Sequence, residues 1–266
     1  MSGPGLRAFA RYLALGDGLS ADLTPALDLK VTDISVALER DARSGEVPPV
    51  GAASLLFEND AERWPDFIGD DLRTLTGCEQ IVRLCADGAS LGDIFDEQVI
   101  GLEPSDLPTL ITMTAGAIDL LSAVATKPAP ARMDAIVRDA VIGVIALAET
   151  LHGKFSDLTL VLTTLPDPTD GLGVFTDERD GVAVPASALL QFNALLRERG
   201  SALPGTVVAE AHTAFHGHGL TAPEDERWFW RRSPHEPSAL GASGLRACWL
   251  QALMAGSSSL QPGSAG

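Results

Sequence analysis

The chain has 266 residues, of which 19 are Lys or Arg and 36 are Asp or Glu, for a formal net charge of −17. That balance excludes a phosphate-backbone partner, which needs clustered basic side chains, and docking on an anionic membrane surface. With 45% hydrophobic and 21% charged residues, collapse around a core is favoured over disorder for most of the chain.

Residues 1–5 carry no charge, and the apolar stretch after Arg11 is interrupted at Asp17, so no targeting segment is expected. Short apolar or β-branched runs then alternate with helical patterns. Strands are predicted at 12–15, 80–85, 109–114, 158–164 and 206–209, each meeting Gly, Asp, Pro or His at its end. Helices are predicted at 64–75, 91–99, 118–125, 133–151, 186–199 and 238–254. The stretch 135–151 is the most apolar, but Arg138, Asp139 and Glu149 mark it as a buried helix rather than a membrane span. Residues 256–266 are rich in Gly, Ser and Pro and read as a disordered tail after a single domain of residues 1–255. Three cysteines, Cys78, Cys85 and Cys248, have no Cys-x-x-Cys spacing, which argues against a disulfide scaffold or a zinc site and for a reducing cytoplasm.

Alternation of this kind predicts α/β architecture, with a parallel sheet covered on both faces. In such a sheet ligands bind beyond the carboxyl ends of the strands. That rule selects the loops at 17–20, 87–90, 116–119, 165–170 and 212–219, and the approach to the last helix at 233–237.

The residues in these loops resemble a known family. Leu15-Gly16-Asp17-Gly18-Leu19-Ser20, then Ala86-Asp87-Gly88-Ala89-Ser90, then Thr114-Ala115-Gly116-Ala117-Ile118-Asp119, look like successive blocks of the SGNH, or GDSL, hydrolases. The stretch 228–241, with Glu236-Pro237-Ser238 and Gly241, is similar to the family's last block. The resemblance runs from about Tyr12 to Leu253. It implies a flavodoxin-like, three-layer α/β/α sandwich on a doubly wound, five-stranded parallel sheet. It also implies a serine nucleophile, an oxyanion hole of backbone N–H groups and an Asn amide, and an Asp-x-x-His base. An alcohol attacks an ester only when a base takes its proton and placed donors receive the developing charge.

The chain departs from that pattern where the chemistry should be. Gly18 stands at the nucleophile position, Ile118 at the oxyanion Asn, Ala117 at the Gly before it, Glu236 at the His and Ser233 at the Asp. Gly88 alone matches an oxyanion donor. Of two Asn in the chain, Asn59 is the one a loop could supply in place of the lost amide. Loss of nucleophile, amide and base together predicts no ordinary serine-esterase activity.

Each remaining candidate has a structural reading beside a functional one. Ser20 reads as a helix N-cap more readily than as a displaced nucleophile. Asp17 either ties the loop through backbone N–H groups or acts as a base toward water. Asp119 suits a loop-stabilising bond. His212, His216 and His218 have a tempting spacing, but Gly217 and Gly219 argue against convergence on a metal. Glu236 has a structural reason at a helix start, whereas His235 has none and is expected to do acid–base work if it faces the cleft. Arg231 and Arg232, after Trp228-Phe229-Trp230, would anchor a carboxylate or phosphate unless the acids at 224–226 take them.

The sequence therefore predicts an SGNH-like cleft for a small molecule, ester- or acyl-containing or carboxylate-bearing, without serine chemistry. Asp17, His235 and Glu236 are the expected acid–base groups, and Gly18, Gly88, Ile118, Asn59 and Arg231 the expected binding groups. An apolar pocket raises a carboxylate's pKa and suits it as an acid for elimination, isomerisation, cyclisation or direct water attack. No metal or cofactor is expected. The alternatives are an esterase using Ser20 and a non-catalytic protein that docks its acidic surface on a basic partner.

Overall fold

The structure is a computed structural model that describes residues 6–33, 47–175 and 181–259. Strand β1 (Arg11–Gly16) is followed by two short helices, α1 (Leu23–Asp28) and α2 (Ala52–Phe57). A 3₁₀ turn (Pro65–Phe67) and α3 (Leu72–Thr76) lead into β2 (Ile81–Arg83). Next come α4 (Leu91–Asp93), which runs straight into a π-helix (Ile94–Val99), then β3 (Thr109–Thr114), α5 (Ala117–Ala125) and α6 (Pro130–Lys154). Strand β4 (Leu158–Thr163), α7 (Ala186–Gly200), β5 (Thr206–Ala209) and α8 (Ala211–Phe215) complete the main sheet and its connections. A two-stranded hairpin of β6 (Phe229–Trp230) and β7 (Ser233–Pro237) precedes the long last helix α9 (Ala239–Ser259).

The five main strands are all parallel, in the order β2-β1-β3-β4-β5. The order reverses between β1 and β3, so the crevice beyond those two strands is the topological switch point. Alternate side chains define two cores. Leu13, Leu15, Ile111, Met113, Leu160 and Leu162 pack on one face with residues of α6 and α7. Tyr12, Ala14, Leu110 and Val161 pack on the other with α2 and with Ala242, Leu245 and Trp249 of α9. These are the three layers of the expected α/β/α sandwich. Two of the polar groups left inside pair within it: Tyr12 Oη and Thr112 Oγ1 are 2.7 Å apart, and Trp249 Nε1 donates to Thr163 Oγ1 at 2.9 Å.

Four of the predicted strands match to within a residue at either end, that at 80–85 is shorter at Ile81–Arg83, and several helical boundaries differ for local reasons. The helix expected at 64–75 is split, because Pro65 opens a 3₁₀ turn and Gly69 takes a φ of +89° before Asp71 restarts the helix by accepting from Thr74 N–H. The pattern at 91–99 becomes π-helical where Gln98 turns inward. Its amide accepts from Gly16 N–H at 2.7 Å and donates to Gly16 O at 2.9 Å, which fixes the end of β1 from both sides. Helix α9 continues past Gly256 to Ser259, into the segment expected to be disordered. The reason is packing: a Cβ on Gly256 would lie 2.7 Å from Val207 Cγ1, so the helix end rests directly on β5. Residues 260–266 of that expected tail lie outside the described residues. Among the described residues no helix is long and apolar enough to cross a membrane.

The hairpin was expected as a loop. It is held against α9 by close approach, since a Cβ on Gly241 would overlap Trp228 O and one on Gly244 would come within 2.5 Å of the Trp228 ring. Ala is favoured over Gly by about 1 kcal/mol in an ordinary helix interior. Here overlap with a fixed carbonyl outweighs that preference. Gly241→Ala is expected to lower the unfolding free energy by about 1–3 kcal/mol, read from the urea midpoint; a variant as stable as the parent would contradict this packing.

Candidate functional site

The carboxyl end of β1 is shaped by Gly16, whose φ of +121° and lack of a side chain let the turn sit directly on Thr114 of β3. Asp17 N–H then donates to Thr114 O at 3.1 Å, and Asp17 Oδ1 accepts from Leu19 N–H at 3.2 Å. Asp17 is therefore a buried carboxyl that ties its own loop, the structural half of its expected role. Burial pushes its pKa up, against the hydrogen bonds from Thr114 and the backbone that pull it down.

Gly18 has no positive φ, so what its missing side chain provides is space rather than backbone conformation. A Cβ there would overlap Glu236 Oε2 and stand 2.7 Å from Asp87 Oδ1. Asp87 comes from the loop after β2, which Gly88 turns with a φ of +71°, and Glu236 comes from β7. The place a side chain at position 18 would occupy is thus taken by two carboxyl groups, with Asp17 beside them. Glu236 Oε2 is shut off from solvent and has no hydrogen-bond partner. Burial raises the Glu236 pKa well above the ordinary glutamate range, and the negative charges of Asp87 and Asp17 raise it further. Its protonated form can donate to Asp87, which acts in the same direction. All of these effects favour the protonated form of Glu236.

Asp17 and Glu236, but not Asp87, line a cleft of about 60 Å³, enough for a few waters or a small group. Its floor is Asp17, Gly18 and Glu236. Its walls are apolar: Ile118 and Leu121 of α5, Leu165 and Pro166 after β4, Leu189 of α7 and Phe229 of β6. His235 lines the cleft and meets the Phe175 ring edge-on at 5.0 Å between centroids.

The cleft thus collects Asp17, Gly18, Ile118, His235 and Glu236. Three other expected binding residues are not among its lining. Asn59 donates to Trp64 O at 3.0 Å and accepts from the buried guanidinium of Arg246, so it braces the α2 side of the sheet. Arg231 is exposed and ion-paired to Glu224 at 2.6 Å, the acidic partner that competes with any anion-binding role. Gly88 shapes the turn that presents Asp87. Ser20 is not a helix cap either: α1 starts at Leu23 after Asp22, and the turn directs Ser20 Oγ inward to Thr114 Oγ1 at 2.8 Å, with the residue fully buried.

His212 and His218 go to separate partners. His212 Nδ1 donates to Leu165 O at 3.0 Å, and His218 stacks on Trp228 at 4.2 Å between centroids. Asp119 accepts from Leu91 N–H at 3.1 Å, the loop-tying bond expected of it. Asp87 is the acidic residue that sequence reasoning missed as a site member. Its signal was its place in the loop directly after β2, at the carboxyl edge of the sheet.

No protein-family model matches the chain, and no curated protein matches it in sequence. Solved structures do match in fold. A phospholipase A1 from Streptomyces albidoflavus superposes with a TM-score of 0.58 at 17% identity, covering 92% of this chain and 100% of that one. An acetylxylan esterase from Geobacillus stearothermophilus gives 0.57 at 12% identity, covering 94% and 96%. A protein assigned as a GDSL-like lipase from Parabacteroides merdae gives 0.57 at 12% identity, covering 95% and 99%. The fold of this chain is therefore that of the SGNH/GDSL hydrolases and esterases.

Proposed function

We propose that this SGNH-fold protein is an acid–base catalyst without a serine nucleophile, acting on a small molecule held in the cleft above Gly18. The observation that carries the reading is the pair of carboxyl groups, from Glu236 and Asp87, standing where a side chain at position 18 would stand. A raised, neutral Glu236 beside a second carboxyl supplies an acid and a base in one place, the division of labour that unlike environments impose on paired carboxyls. Glu236 donates a proton to the substrate. Asp87, beside Glu236 but outside the cleft lining, takes one by way of water, and His235, which lines the cleft, relays it. The reaction class is elimination, isomerisation, cyclisation or direct water attack.

The ligand is a small molecule with an apolar, acyl-like body lying along Ile118, Leu121 and Leu189. The carboxylate-bearing alternative is set aside, because Arg231, its expected anchor, is bonded to Glu224 and the floor of the cleft is acidic. An esterase working through Ser20 is disfavoured by the burial of that hydroxyl and its bond to Thr114.

The test is intact-mass analysis after exposure to a fluorophosphonate probe, with an active serine esterase as control. No adduct is expected. A stoichiometric adduct mapping to any serine would overturn the reading.

A further inference from the structure

A second cavity lies beside the cleft and shares two of its walls. Leu121 of α5 and Leu189 of α7 line the cleft, whereas Val124, one turn further along α5, and Ala188 line the second cavity. Its open volume is about 400 Å³, against about 60 Å³ for the cleft. A space of that size is typical of small-molecule sites. Pro128, Pro130 and Pro185 stand in its lining, and their fixed φ angles resist its collapse. Its charged lining residues are Lys127 and Asp134, and its other polar side chains are Ser187 and Gln191. Among the described residues none of these four side chains has a hydrogen-bond or salt-bridge partner.

The backbone of Lys127 is a second, independent observation. It follows the end of α5 with a φ of +51°, and its N–H donates to Val124 O at 2.8 Å. Gly is the favoured residue in that left-handed position, and the proline that follows restricts a residue with a side chain further. A lysine there carries a conformational cost that a glycine would not, which points to a use for its side chain. A ligand with a carboxylate alone would suit Lys127 and meet Asp134, and one with an ammonium alone would do the reverse. A zwitterion satisfies both. From this arrangement we infer that the second cavity binds a free α-amino acid with an apolar side chain. Its carboxylate sits on Lys127, its ammonium on Asp134, and its side chain against Val124, Met133 and Ala188. The Ser187 hydroxyl and Gln191 amide supply further donors and acceptors. This site is separate from the floor of the cleft and does not depend on the acid–base reading, although its occupant touches both helices that wall the cleft.

The experiment is calorimetric titration of the full chain with L-leucine, with isocaproate, which lacks the ammonium, and with isoamylamine, which lacks the carboxylate. L-Leucine is expected to bind at least ~10-fold more tightly than either analogue, since each lacks one charge-assisted contact. Glycine, with no side chain to lie on Val124 and Met133, is expected to bind at least ~10-fold more weakly than L-leucine. Lys127→Gly should weaken L-leucine at least ~10-fold and leave isoamylamine within ~2-fold. The same variant should unfold at no lower urea than the parent, because glycine relieves the left-handed backbone. Asp134→Asn should also weaken L-leucine but leave isocaproate no weaker, the opposite pattern, which a loss of fold would not give. No binding of L-leucine up to about 10 mM, or an analogue that binds as tightly, would overturn the inference. So would an L-leucine affinity unchanged in both variants, or a Lys127→Gly variant less stable than the parent.

Discussion

Stability is expected to be highest near about pH 5 and to fall as the solution is made neutral and then alkaline, the reverse of a protein held together by salt-bridged carboxylates. Glu236 and Asp17 both have pKa values raised in the folded state, chiefly by burial. A carboxyl with a raised folded pKa is protonated in the fold while it is already ionised in the unfolded chain. Over that interval the folded state holds more protons, so raising the pH favours unfolding. For Glu236 the interval opens at its ordinary value of 4.5 and extends well above it. Each pH unit spanned costs about 1.4 kcal/mol of stability for one fully coupled group. Asp22, raised by burial as well, acts in the same direction. Opposing them at the acid end are Asp60, bonded to Arg63, and Asp170, which collects N–H donors from Gly217, Gly219 and Thr221. Their pKa values are lowered, so their contribution is present above the ordinary aspartate value of 3.8 and disappears as pH falls below it. The two trends cross near the start of the Glu236 interval. Urea unfolding from about pH 4 to about pH 8.5 should show the maximum. Glu236→Gln, which keeps the shape and removes the titration, should flatten the alkaline limb and leave the variant more stable than the parent above neutrality. Stability that climbs from pH 5 to pH 8, or a parallel curve for the variant, would mean that Glu236 is not held protonated.

The reading of the sequence reached the sheet more easily than the site. Strands β3 and β5 coincide with their predicted spans because both are continuous apolar or β-branched runs, fully buried in β3 and half-buried at the sheet edge in β5. Strand β7 was hidden by composition. Ser-Pro-His-Glu-Pro carries two prolines, which a strand tolerates only at an edge, and its two-residue partner pairs across an irregular register. The π-helical turn was hidden because its apolar spacing is also that of an α-helix; only the reach of Gln98 to Gly16 distinguishes it. Asp17 was legible from its loop at the carboxyl end of β1 and Glu236 from its place before the last helix, both at positions that resemble family blocks. Asp87 lies in such a loop and block as well, but what joins it to Glu236 comes through space, by way of the missing side chain at Gly18. Arg231 and Asn59 failed in the opposite way. Their residue types suited a site, but Glu224 and Arg246, respectively, were nearer than the cleft.

Gly18→Ser restores the side chain that the resemblance leads one to expect, and the variant is expected to gain no serine chemistry and to lose stability. The backbone at Gly18 is of a kind any L-residue can adopt, so the whole cost is steric and electrostatic. The new Cβ overlaps Glu236 Oε2 and stands 2.7 Å from Asp87 Oδ1. One carboxyl must swing out of its buried seat, at a cost of about 1–3 kcal/mol for overpacking of this kind. If Glu236 is what fills the space, removing it should relieve the strain. Glu236→Ala combined with Gly18→Ser should then be more stable than the sum of the single changes predicts, with a coupling of about 1–3 kcal/mol. The labelling behaviour follows from the same contact. A serine hydroxyl placed between two carboxyl groups meets negative charge where an oxyanion would have to develop, and no histidine stands at the Glu236 position to take its proton. The single variant should therefore remain unlabelled by a fluorophosphonate while unfolding at lower urea than the parent. Additive stabilities in the double variant would mean that Glu236 does not occupy the nucleophile's place. Rapid labelling of the single variant would mean that the cleft still holds a working base and oxyanion site, with only the hydroxyl missing.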